Sequence, residues 1–561
     1  MKKGKYLRFM LTLLSMVLVF LSAACSSDTD NTNSNGQVPP ASGSTTGTEP
    51  ALPDQLPDKY DPAIELTTAS YYFSGIKFPQ GEDINHNVWT RALEKDYGIK
   101  VKHLWSVPYG DFEKKMNLTI SSGDLPDISL VTPTQFKQLH ESGLIEDMTD
   151  YYEKLAPDAV KKVMQEAGEE VKQSAMLDGR LMGIPFTGLA KEQVSILWIR
   201  EDWRNTLNLP EPTTLDNLLQ IIAAFTESDP DRNGQADTIG LGLDKDLASA
   251  KSFMNAFHAY RDIWIEDDSG KLAYSSIQPE MKTALEALQQ LYSSGHLDKE
   301  FGVKNATQLA QHITASKLGV FFGTMNAGVT PLGNTRDIDP AAEWKAYPVP
   351  SVDEEPLLYQ HDLNIFYGYW VVKKGVKHPE AVFKLLEKWL NSFYFNTSDD
   401  VFTNFNEAPD NNTLWMYAPM KMYRSEKNVS VYRNLKPLLE GTGGDVNQLT
   451  PEERSIYNNI LKYREGDLQF WGQDLSFGPN GGGKVIDQIM RNNQYKPTQF
   501  ITAPMQVMTD RMSQLEKMEA EAFTKIIQGA PISKFDSFVA DWKKAGGEDI
   551  TNAVNEWYMG K

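Results

Sequence analysis

The sequence predicts an α/β fold on two observations. Residues 66–131 carry strand and helix patterns in the order β-α-β-α-β, and a second set begins after the turn Asp178-Gly179-Arg180-Leu181-Met182-Gly183-Ile184-Pro185. That order favours a parallel sheet with helices on both faces and a ligand crevice beyond the carboxyl ends of its strands. At 561 residues, 41% of them hydrophobic, the chain can build two or three domains.

Each element follows from its local pattern. Residues 66–73 are rich in Thr and aromatic side chains and read as a strand. Residues 87–97 place Val88, Ala92 and Leu93 at helical spacing and stop at Gly98. Ile99, Val101 and Trp105 then alternate with Lys100 and Lys102, as in a strand with one exposed face. Asp111 can cap a helix carrying Phe112, Met116 and Ile120 as far as Gly123, and Leu125-Pro126-Asp127 leads into a short strand over 128–131. The second set offers a strand over 194–199 and helices over 215–225, 279–292, 379–390, 450–464 and 504–528. The last aligns Met505, Met508, Met512, Leu515, Met518, Phe523 and Ile526, a stripe read as core packing rather than as a binding surface.

The charge balance excludes one class of partner. Against 55 basic residues stand 75 acidic ones, a net charge of −20, which disfavours binding to a phosphate backbone and hence nucleic acid. The only cysteine, Cys25, leaves no internal disulfide or thiol pair. It closes a leader in which Lys2, Lys3, Lys5 and Arg8 precede an apolar run over 9–21 and the small residues Ser22, Ala23 and Ala24. The run is short for a membrane span, so residues 1–24 read as an export signal. Residues 26–57 are a Ser/Thr/Asn/Gly/Pro tract with almost nothing apolar to bury; together with Cys25 they read as a flexible tether over 25–57, ahead of a globular part over 58–561.

Asp229-Pro230-Asp231-Arg232-Asn233-Gly234-Gln235-Ala236-Asp237 is the strongest local motif. Oxygen-bearing side chains fall at loop positions one, three, five and nine, glycine sits at six, and Gln235 offers its carbonyl at seven, a pattern that implies structural calcium held by Asp229, Asp231, Asn233, Gln235 and Asp237. It lacks the EF-hand's bidentate Glu, since Gly240 stands at position twelve, and an Asx-rich turn is the competing reading. The stretch 478–484 has P-loop spacing up to Lys484 but places Val485 where magnesium needs Ser or Thr, so a glycine-rich loop lining a cleft is the better reading. Hydrolase signatures are missing, and no catalytic residue is assigned. Among 60 aromatic rings, Trp105, Tyr109, Trp198, Trp264, Tyr369, Trp370, Trp415 and Trp471 lie in polar or glycine-containing segments. As a set they supply the flat apolar faces that a sugar cleft needs, and Trp198, Trp264, Trp370, Trp415 and Trp471 are taken as substrate-binding candidates.

The leader segment Leu21-Ser22-Ala23-Ala24-Cys25-Ser26-Ser27 resembles a bacterial lipoprotein lipobox, with Ser22 where the family usually has Leu. The resemblance implies that Cys25 is the acylated first residue of the mature protein, held at the outer face of the cytoplasmic membrane. The globular part resembles extracellular solute-binding proteins of the maltose-binding type, close to alginate-binding and large oligosaccharide-binding lipoproteins of Gram-positive ABC importers. Its carriers are 115–117 with 122–128, the 178–185 turn, Trp198-Ile199-Arg200-Glu201-Asp202-Trp203, the 229–237 loop, Gly319-Val320-Phe321-Phe322-Gly323-Thr324, and Lys374-Gly375 with His378-Pro379-Glu380-Ala381.

This resemblance implies a two-lobed, periplasmic-binding-protein-like fold with a central ligand cleft and a hinge of about three crossovers, near 184–186, 367–371 and 497–504. Lobe one would comprise 58–185 and 371–497, and lobe two 186–370 and 498–561. It further implies that Trp198 stacks on the ligand and that Arg200 binds a hydroxyl or carboxylate. The implied protein is a monomer that captures an oligosaccharide and delivers it to the permease of an ABC importer. A secreted carbohydrate-active hydrolase, or a ligand-sensing or peptide-binding lipoprotein on the same fold, are the alternatives.

Overall fold

The computed structural model describes residues 52–72, 78–396, 398–408 and 413–560; the leader, Cys25 and the tether up to residue 51 lie outside the described residues. The first helix shows how local chemistry sets the element boundaries. Asn87 accepts from the Trp89 and Thr90 N–H groups, the Thr90 hydroxyl accepts from the Asn87 N–H, and Gly98 ends Val88–Tyr97 at φ 66°. The next helix starts two residues before the predicted cap. It runs Tyr109–Ser122 after Pro108, so Asp111 sits in its first turn, where a carboxylate meets the positive end of the helix dipole. In the helix Gln506–Ile527, Met508, Leu515, Phe523 and Ile526 are buried, and Met505, Met512 and Met518 pack against the same core.

The strands are only partly parallel. Ile64–Tyr72 and Ile99–Pro108 pair in parallel, whereas Ile365–Val372 runs antiparallel between Ile128–Val131 and Ile184–Thr187. In the second lobe Ile196–Arg200 lies antiparallel between Trp344–Tyr347 and Leu318–Gly323, and the latter pairs in parallel with Ile239–Leu241. Ile365–Val372 enters the first sheet from the other lobe, which turns it against its neighbours.

Two separate hydrophobic cores define the lobes. The first draws on Tyr60 to Phe186 and Tyr369 to Met422; the second on Val194 to Tyr359, Val429 to Tyr495 and Met508 to Val554. The expected lobe boundary is thereby corrected. Residues 429–495, assigned to lobe one from sequence, bury Val429, Leu435, Ile460, Ile486 and Ile489 in the second core, so the third passage between lobes lies near 423–428 and not near 497–504. The loop after residue 497 only touches the first core, through Ala503. The compact unit also starts earlier than predicted, at Leu52, because Leu52 and Leu56 pack against the first core.

The three passages are tied together by one buried amide. The Asn364 carbonyl accepts from Gly188 N–H at 2.8 Å, its side-chain oxygen accepts from Ala190 N–H at 2.9 Å, and its Nδ2 donates to Ser425 Oγ at 2.6 Å. A Cβ at Gly188 would lie 2.8 Å from Phe366 N, so glycine is what lets the first two passages approach.

Candidate functional site

The carboxyl ends of the two parallel strands meet the start of the helix Tyr109–Ser122, where an open α/β sheet places its ligand. A rim of aromatic rings gathers there. Tyr71 and Tyr109 have ring centres 5.0 Å apart, Tyr109 and Tyr367 6.2 Å, and Tyr71 and Phe112 5.3 Å. Tyr72, Tyr109 and Phe366 are each about two-fifths exposed, the condition for a ring to offer a face to a sugar.

Hydrogen-bond donors lie beneath the rim. Tyr367 Oη and Trp105 Nε1 are buried without a hydrogen-bond partner among the described residues, and Lys421 Nζ stands 5.9 Å from the Tyr71 ring centre. Burial alone pulls the Lys421 ammonium down to about 7, with no carboxylate contributing. His103 is pushed down to about 4, chiefly by burial and then by Lys421.

Two cavities lie beside the crossings between lobes. One, of about 310 Å³, is bounded by the first two passages and the helix Lys251–Asn255; its polar groups include Gln193, Lys251, Asn255, Gln360 and Asp362, with Phe366 at its wall. Another, of about 370 Å³, shares Ser195 and Ala248 with it and reaches Phe321 and Thr324 of the 319–324 motif and Asn326 beyond it. Together they offer amides, hydroxyls and aromatic rings, Phe321 and Phe322 among them.

The predicted aromatics take other places. Trp198 is fully buried in the middle of the second sheet and donates from Nε1 to the Thr324 carbonyl at 3.2 Å. The glycine-rich loop seals it: a Cβ at Gly482 would lie 2.9 Å from Trp198 Cζ2, so these glycines serve close packing and not phosphate binding. Trp198 therefore has no free face to stack on a ligand. Arg200, also fully buried, is taken up by Asp202 at 2.7 Å, Asp339 at 2.6 Å and Ser316, which leaves it no part in ligand binding.

Trp264 packs between Tyr274 and Phe500. Trp370 is buried on Phe186 and donates to the Lys421 carbonyl at 2.8 Å, and Trp471 lies 3.8 Å beneath the Arg336 guanidinium. Trp415 lines a cavity of about 400 Å³ that is set apart from the rim. Sequence reading noted Tyr109 among its aromatics but missed Tyr71, Tyr72, Phe366 and Tyr367. Their signal is position, at strand ends and a crossover, and not residue type.

In the 229–237 loop, Asn233 Nδ2 donates to Asp231 Oδ2 at 2.8 Å and to Asp237 Oδ1 at 3.1 Å, while Gly234 N–H, at φ 77°, donates to Asp229 Oδ2 at 2.9 Å. Lys317 pairs with Asp237. The donors are hard oxygens suited to calcium, with the amide of Asn233 and the ammonium of Lys317 supplying the positive ends that face them. Among the described residues no three His, Cys, Asp or Glu side chains form a group that could hold a metal ion.

Comparison with known proteins gives the fold its context. Residues 79–392 match the family model of the bacterial extracellular solute-binding proteins. The fructooligosaccharide ABC transporter substrate-binding protein FusA of Streptococcus pneumoniae is 26% identical over 305 residues, covering 49% of this chain and only 56% of FusA. Lipoprotein LipO of Bacillus subtilis is 23% identical over 483 residues, 84% of this chain and 88% of LipO. A solved structure of the S. pneumoniae FusA EF-hand mutant with fructo-nystose superimposes with a TM-score of 0.57 at 18% identity, covering 89% of this chain and 99% of that one. With more than half of its length matched by the family model, and with two lobes joined by three passages, the chain belongs to the bacterial extracellular solute-binding protein family.

Proposed function

We propose that this protein is the substrate-binding lipoprotein of an ABC importer, capturing an oligosaccharide between its lobes and presenting it to the membrane permease. The rim of Tyr71, Tyr109 and Tyr367 beside Lys421 carries this reading: rings to cover the C–H faces of a pyranose or furanose, and donors for its oxygens. The polar cavities at the crossovers supply the opposite wall, and hinge closure brings the walls together. FusA, whose name states fructooligosaccharides, supports an oligosaccharide as the ligand class.

Calorimetric titration of the purified protein with a panel of neutral and acidic oligosaccharides tests the reading. The expected result is saturable one-to-one binding without product, weakened at least about tenfold by Tyr109→Ala. Turnover of the sugar overturns it in favour of a hydrolase.

Two further parts belong to the same proposal. Acylation of Cys25 anchors the chain to the outer face of the membrane, and the relative named as a lipoprotein supports it; equal membrane retention of Cys25→Ala and parent would remove the claim. Calcium binds the loop through Asp229, Asp231, Asn233, the Gln235 carbonyl and Asp237, displacing the Lys317 contact and turning the Asn233 amide so that its oxygen faces the ion. The relative described as an EF-hand mutant supports a metal loop of this kind. Chelation is expected to lower the unfolding temperature of the parent and to leave Asp231→Ala unmoved.

A further inference from the structure

A second cavity, separate from the aromatic rim, lies across the third passage between the lobes. It encloses about 400 Å³, within the size range of small-molecule sites. Its walls come from both lobes: Phe393, Tyr394 and Trp415 pack on the first core, while Val431, on the helix Lys427–Glu440, belongs to the second.

Three independent features of this cavity need an explanation. First, two widened helical turns border it. Asn391–Phe395 and Phe402–Asn406 are both π-helical, a conformation poorer in backbone packing than the α-helix and frequent at functional sites; the first delivers Phe393 and Tyr394, the second Phe402 and Asn406. Second, Asn406 is over nine-tenths buried, yet among the described residues its Oδ1 accepts no hydrogen bond. Its Nδ2 donates to the Ser392 carbonyl at 2.9 Å, so the amide cannot be reversed without setting oxygen against oxygen. The Tyr394 hydroxyl, close to the Arg424 main chain, likewise lacks a well-formed hydrogen bond.

Third, the basic groups lining the cavity are already paired, and the half-buried Glu407 has its carboxyl raised above the ordinary value by burial and then by Glu452. Arg424 holds Glu166 at 2.9 and 3.0 Å, Lys427 pairs with Glu452, and Glu453 accepts from Asn434 Nδ2 at 2.7 Å and from Thr450 N–H at 2.8 Å. What remains on offer is the Asn406 and Glu407 acceptors, a hydroxyl and aromatic faces. An anionic ligand finds no free counter-charge among these groups, and a purely apolar one leaves Asn406 unpaired.

We propose that this cavity is a second ligand site, taking one neutral polyhydroxyl ring, a monosaccharide or cyclic polyol, whose hydroxyl donates to Asn406 Oδ1 while its C–H face lies on Trp415 or Phe393. Because the site is walled by both lobes, its occupant biases their relative angle, and by linkage the state of the cleft biases its affinity. The inference stands on its own observations and does not depend on which oligosaccharide the cleft takes.

The test titrates the purified full-length chain with D-glucose, D-galactose and myo-inositol, each up to about 100 mM, with binding followed by saturation-transfer NMR. At least one ring is expected to bind saturably, with Asn406→Leu raising its dissociation constant at least about tenfold. Ser430→Trp, which fills the cavity from the partly exposed face of its helix, is expected to abolish binding while the protein still unfolds cooperatively, so the inference survives a failure of the Asn406 variant to fold. Tyr109→Ala, at the rim, is expected to leave this binding unchanged. Absence of saturable binding by all three compounds overturns the proposal. So does binding that persists in both cavity variants, or binding that is lost in Tyr109→Ala and kept in the cavity variants, which places the ring in the cleft.

Discussion

The strand Ile196–Arg200 and the rim at Tyr71, Tyr109 and Tyr367 present similar chemistry in opposite roles. Each sets aromatic rings and a cation at strand ends close to a passage between lobes. On the second-lobe strand, Trp198 lies under the glycine-rich loop and Arg200 is paired with Asp202 and Asp339. On the rim, Tyr109 is part exposed and Lys421 lies 5.9 Å from the Tyr71 ring centre. The contrast teaches that ring and charge mark where binding chemistry is affordable, whereas what packs over them decides whether it is used. Glycine is the sealing device here, because a missing Cβ lets backbone close directly onto an indole.

Four measurements break or sharpen that contrast. Trp198→Ala is expected to have the largest effect, a loss of about 3–5 kcal/mol in denaturant unfolding, with ligand affinity of the folded fraction unchanged. An intact stability together with lost affinity would put Trp198 back in the cleft.

Lys421→Met tests the cation on the open side through pH. In the folded protein Lys421 releases its proton near 7, against 10.5 for the ordinary side chain, so the unfolded chain binds more protons between those values. Stability carries the full cost of charging Lys421 below about pH 7 and recovers as pH rises toward 10.5, by at most about 1.4 kcal/mol per pH unit. The methionine variant is expected to lose that slope and to be the more stable protein at pH 6. Melting curves of both proteins from pH 6 to pH 10 decide it, and parallel curves would show that the ammonium is solvated or paired.

Gly482→Ala probes the seal itself. Its Cβ meets Trp198 and Met325 at 2.9 Å, so about 1–3 kcal/mol of overpacking is expected, relieved in a Gly482→Ala/Trp198→Phe double variant. Simple addition of the two single effects would mean that the loop does not rest on the indole. Tyr109→Ala has the smallest predicted effect on stability, within about 0.5 kcal/mol, because the ring is already part exposed. Its effect belongs in affinity, and a large stability loss would class it with Trp198.

Much of the chain's local structure was legible without coordinates. Asn87 and Gly98 bracket the first helix because a side-chain acceptor and a left-handed glycine are chemically required at those ends. The methionine stripe of Gln506–Ile527 declares its buried face by period alone. The family followed from motifs spread along the chain, and the oxygen-rich loop at 229–237 is visible because its ligands would lie within nine residues of one another.

The tertiary structure alone decided which core each segment joins and which rings stay open. Val429 to Ile489 form amphipathic helices that suit either lobe by pattern; the passage near 423–428, tied through Ser425 to Asn364, assigns them to the second. Trp198 and Tyr109 are both aromatic residues in mixed surroundings, and the difference between them is a glycine loop almost three hundred residues away in sequence from one and absent over the other. Periodicity and capping are short-range and written in neighbouring residues, whereas burial is set by whatever distant segment closes over a side chain, which no local pattern encodes.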